Sequence, residues 1–164
     1  MSANPIITEL TKLLTLQEDL YDKSKEKTEV VKVGDVEGLK SLINEERKIM
    51  TSIAAVQKAF LYQSQRFLQH HGISMETPTL SDCIGRANDQ ERQVLATLQT
   101  QIVNKAQQVK VQNELNQQLL KQSLAFVQMS LDLLSPDIGS YNYERMGQNH
   151  SYEQPGCSLF DSNA

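Results

Sequence analysis

A chain of 164 residues with 5% aromatic residues, no Trp, and mostly Leu, Gln, Glu and Lys suits a single helical domain rather than a sheet protein. Its net charge of −4 excludes the basic face that nucleic acid or an anionic membrane would require. No run approaches the roughly 18 apolar residues that span a bilayer, so membrane insertion is not expected.

Residues 1–7 have no basic stretch leading into an apolar core, which argues against a secretory leader and for a cytoplasmic location. Cys83 and Cys157 are isolated and lack metal-ligand spacing; two separate thiols suit a reducing compartment better than a disulfide.

The first helix is expected over residues 5–33. Asn4-Pro5 places a capping residue before a favoured first-turn proline. Ile6, Leu10, Leu13, Gln17, Leu20, Ser24, Thr28 and Val31 then follow helical spacing, with acidic and basic residues on the solvated sides. Gly34 is a terminator and Asp35 the cap of the next helix, so the two helices are antiparallel neighbours.

The second helix is expected over residues 36–71. Its stripe runs Leu39, Leu42, Ile43, Glu46, Ile49, Ile53, Val56, Phe60, Ser64 and Phe67. Glu46 sits where an apolar residue belongs, and a carboxylate there is costly unless paired. Two readings stand. In one, Glu46 joins Ser24 or Lys27 and Asn113 in a polar layer that fixes register. In the other, its carboxylate reaches water at the stripe's edge. His70-His71 invites a metal, but no Glu or Asp lies three or four residues away on that helix, and cations favour this end of a helix dipole. A short helix over residues 79–87 follows, with Leu80, Cys83, Ile84 and Ala87 set to plug the bundle's end.

Residues 88–134 hold no Gly or Pro and read as one helix, opened by a capping box of Asn88 and Glu91 and stopped at Ser135-Pro136. At 1.5 Å per residue this is a rod of about 70 Å. Leu95, Leu98, Ile102, Ala106, Val109, Leu120, Leu124, Val127, Leu131 and Leu134 form one stripe. Val111, Leu115, Leu119, Phe126, Met129 and Leu133 form a second, about 140° away around the helix. Residues 136–164 lack an apolar period and are expected to be a flexible tail that carries Tyr141, Tyr143, Tyr152 and Phe160.

The expected fold is all-α: an elongated antiparallel three-helix bundle or coiled coil over residues 1–135, with a disordered C-terminal tail. Its long third helix should overhang the first loop by roughly 18 Å from residue 123 onward. Those turns are the most apolar of the helix. They invite an amphipathic partner helix, the chain's own tail or a fourth short helix folded back, or a weak homodimer. No phosphate loop, nucleophile motif or metal quartet is present in the sequence, so neither an enzyme nor a cofactor is expected.

The segment Asn113-Glu-Leu-Asn-Gln-Gln-Leu-Leu120, and Leu39-x-x-Leu42-Ile43-x-Glu-Glu46-x-x-Ile49-Met50, resemble the FlgN family of flagellar export chaperones. The resemblance covers residues 4 to about 134 and leaves the tail out. It implies a cytoplasmic chaperone that holds the C-terminal helical segment of hook–filament junction proteins. Such a chaperone prevents their premature assembly and delivers them to the flagellar type III export gate and ATPase complex. The resemblance puts client binding in the C-terminal part of the third helix, which is the overhanging stretch read above. With the second stripe, the candidate client site is Val111, Leu115, Leu119, Leu124, Phe126, Val127, Met129, Leu131, Leu133 and Leu134. The family's gate docking belongs to the C-terminal end, which leaves Tyr141 and Tyr143 as candidates without a matching pattern. The competing expectation is a structural coiled-coil adapter or scaffold that self-associates through the long helix.

Overall fold

The computed structural model describes residues 2–134, and the regular structure in them is entirely helical. The helices are α1 (Asn4–Val33), α2 (Val36–His70), α3 (Leu80–Ile84) and α4 (Asp89–Leu134). The chain divides into two compact units, Met1–Gln122 and Ser123–Ala164. Helix α4 contributes residues 89–122 to the first unit and residues 123–134 to the second.

In the first unit, α1 ends because Gly34 takes a left-handed conformation (φ 71°) that closes the last carbonyls. The Gly34 amide bonds Val31 at 3.2 Å and the Asp35 amide bonds Val30 at 3.1 Å. Asp35 starts α2 at once by accepting the Gly38 amide at 2.9 Å. A side chain at position 38 would run into that Asp35 carboxylate, so glycine is what lets the cap close. A two-residue link leaves α1 and α2 antiparallel and packed along each other.

The opposite end is built differently from the sequence expectation. Asn4 is the first residue of α1 rather than its cap; Ala3 takes the cap position, and its own side chain caps nothing. The Glu91 carboxylate reaches across from α4, accepting the Ala3 amide at 2.8 Å and the Ser2 hydroxyl. These hydrogen bonds, that from Ser2 first, hold the Glu91 carboxyl below the usual carboxylate range. Asn88 makes only half of the expected capping box, accepting the Glu91 amide at 2.9 Å. Nearby, α3 has a complete box, in which Thr79 and Asp82 cap each other.

The core at this end joins all four helices of the unit. Ile6 and Leu10 of α1, Phe67 and Leu68 of α2, Cys83 of α3, and Leu95 and Leu98 of α4 are buried together. Leu80 and Ile84 pack on its edge, so α3 works as a plug. Burial pushes the Cys83 thiol up, which makes it a small core side chain rather than a reactive thiolate. Further along, Leu20, Ile53 and Val109 form a second cluster. The Tyr21 ring takes the ammonium groups of Lys25 at 4.6 Å and Lys105 at 4.9 Å, which ties α1 to α4 again.

The contacts from α1 to α4 climb in step: Ser2 meets Glu91, Ser24 meets Asn113 and Thr28 meets Asn116. A nearly constant offset means that the two helices run parallel within the unit, with α2 antiparallel to both.

Candidate functional site

Beyond Val109 the buried stripe of α4 changes character, because its next two positions are Asn113 and Asn116. Ser24 donates its hydroxyl to Asn113 Oδ1 at 3.1 Å. Asn116 is buried; its Nδ2 donates to the Ser24 carbonyl at 2.8 Å, and its Oδ1 accepts from the Thr28 hydroxyl. Gln112 Nε2 closes the network on Thr28 Oγ1 at 2.6 Å. Buried polar groups satisfied in this way cost little, whereas a single missing member would leave its partner stranded.

Glu46 lies elsewhere in the network of ionised groups. Its Oε2 takes the Lys27 ammonium at 2.6 Å, and each side chain is only 14% exposed. Among the described residues no hydrogen bond links Glu46 to Ser24 or Asn113, and its Oε1 is buried without a partner. Lys23 and Glu45 form a neighbouring α1–α2 pair at 2.8 Å. Donating to Glu45 raises the Lys23 ammonium above its usual range, and accepting the same bond lowers the Glu45 carboxyl. The structure therefore joins Ser24 to Asn113 and Lys27 to Glu46. Asn116, Thr28 and Gln112, which the periodicity does not single out as a network, complete the α1–α4 side. The available signal was the gap in the first stripe between Val109 and Leu120.

The second stripe begins in the same unit, where Val111 and Leu115 are exposed and Leu119 is half-buried. The second unit is described over residues 123–134, all of them α-helical. Leu124, Phe126, Val127, Met129, Leu131, Leu133 and Leu134 are each between 53% and 80% exposed. Asp132 is the one charged residue in this stretch. Seven large apolar side chains on about three turns of helix make a surface suited to docking and to no covalent chemistry. Tyr141 and Tyr143 lie outside the described residues. Among the described residues no cluster of His, Cys, Asp or Glu could hold a metal ion, and no helix is long and apolar enough to cross a membrane.

A model described as "FlgN protein" matches residues 1–151 of this chain. The chain belongs to the FlgN family. It is accordingly a cytoplasmic flagellar export chaperone and not an enzyme. The FlgN family chaperones hook–filament junction proteins and engages the export apparatus. A curated relative, "Uncharacterized protein YvyG" of Bacillus subtilis (strain 168), is 30% identical over 164 residues and is covered fully, as is this chain. No solved structure matches.

Proposed function

We propose that this FlgN-family chain holds the C-terminal helical segment of a hook–filament junction protein on the apolar residues of α4. In this reading the client contacts Leu124, Phe126, Val127, Met129, Leu131, Leu133 and Leu134, with Val111, Leu115 and Leu119 as further contacts along the same helix. The observation that carries it is the exposure of those seven side chains on residues 123–134 beside a single charge. Covering them removes apolar surface from water, at about 25 cal/mol per Å². The same contact masks the client's own apolar stripe and prevents its early assembly. Delivery to the export gate and ATPase complex follows, with Tyr141 and Tyr143 as the candidates for docking there. The protein contributes binding alone and needs no cofactor.

Sedimentation velocity at several concentrations, with and without a purified junction protein of the same organism, tests the reading. A stable mixed complex and little self-association are expected. Concentration-dependent self-association without a mixed complex would overturn it in favour of a coiled-coil scaffold.

A further inference from the structure

The exposed side chains of residues 123–134 do not share one face. Leu124, Val127, Leu131 and Leu134 fall on one flank of α4, and Phe126, Met129 and Leu133 fall on another about 140° away. Between them on the narrower side lie Ser123 and Ser130, and the Ser130 hydroxyl is turned back onto the Phe126 carbonyl at 2.8 Å. On the wider side lie Ala125, Gln128 and Asp132.

A helix packed against a neighbour covers an apolar arc of about 100°. Two flanks about 140° apart exceed what one helix can reach. With interaxial distances of 8–10 Å, two helices on these flanks would stand roughly 17 Å from each other. Area points the same way. Each exposed side chain offers on the order of 100 Å². Within residues 123–134, a second copy paired through one flank alone would bury roughly 600–800 Å² in total, short of the ~1,200 Å² of a stable interface. Both flanks together bury roughly 1,400 Å², the standard size.

We infer that residues 123–134 are clasped by two amphipathic helices at once, one on each flank, both supplied by a single client chain. The inference rests on the client-site reading above and adds to it the number and placement of the client's helices. Their apolar faces carry few charges, because only Asp132 could pair with one.

Isothermal titration of the full chain with a full-length hook–filament junction protein of the same organism tests this. Two variants are compared, Leu124→Gln/Leu131→Gln for the first flank and Phe126→Gln/Met129→Gln for the second; glutamine keeps the helix propensity. Each pair should weaken binding at least tenfold, the fourfold variant should abolish it, and light scattering should give a 1:1 complex. If one pair weakens binding while the other leaves it unchanged, a single helix occupies one flank, and the inference is overturned while the client site stands. A 2:2 complex that falls to 1:1 when one flank is changed, with client affinity intact, would assign that flank to a second copy and also overturn it. If neither pair alters affinity, the client-site reading fails and this inference fails with it.

Discussion

Asn116 of α4 donates its side-chain amide to the backbone carbonyl of Ser24 in α1 at 2.8 Å, in the buried polar layer beyond Val109. The bond fixes how far α4 is advanced along α1, since a shift by one turn would bury both groups unpaired. Asn116→Ala should cost about 1–3 kcal/mol in urea unfolding, because the buried Ser24 carbonyl loses the Asn116 amide and the Thr28 hydroxyl loses one of its two acceptors. Asn113→Ala removes one longer bond at the layer's half-exposed edge and should cost about 0.5–1.5 kcal/mol. The reverse ranking would show that the register is set elsewhere.

The ion pair of Lys27 and Glu46 carries a different expectation. Glu46→Leu alone would leave a mostly buried ammonium uncompensated, at a cost of about 1–3 kcal/mol. Replacing both, as Lys27→Met with Glu46→Leu, should return stability to the wild-type value or above it. Equal losses in the single and double variants would mean that Glu46 acts through another partner.

Glu91 supplies a pH dependence whose sign is determined. Hydrogen bonds from Ser2 and from the Ala3 amide stabilise its ionised form in the folded state, so its pKa there lies below the unfolded value. The stabilisation is complete above the ordinary glutamate range and is lost as pH falls through the folded pKa. Glu91→Ala should therefore cost about 1 kcal/mol near neutral pH, as for a lost helix cap, and progressively less in acid. A cost that stays constant down to low pH would show that the side chain acts by packing alone.

The all-helical bundle is legible in the sequence because its determinants are local or periodic. Gly34 and Asp35 turn the chain by backbone conformation and capping, and the stripes of α1, α2 and α4 state which faces are buried. What periodicity cannot state is which polar group meets which across two helices. Glu91 stands at the third position of its own helix and reads as the return half of a capping box, yet its carboxylate serves α1, some 88 residues away. Glu46 stands out on its stripe and the polar-layer reading sets Asn113 beside Ser24, whereas Asn116 looks like an ordinary member of a glutamine- and asparagine-rich helix. The apolar spacing of α4 is equally visible, but exposure along it is a tertiary fact: Leu95 and Leu124 share one stripe, and only the first is buried.

The central claim is that the apolar end of α4 holds the client, and the affinity of one variant tests it most directly. Titration of a purified hook–filament junction protein against Phe126→Asp should show binding at least tenfold weaker than wild type. That factor corresponds to about 1.4 kcal/mol, within the value of one buried aromatic side chain. Gln107→Glu, a change on an exposed polar face, should leave affinity unaltered, and far-UV circular dichroism should report the same helix content for both. Undiminished client affinity in a folded Phe126→Asp protein would contradict the account and move the site off α4.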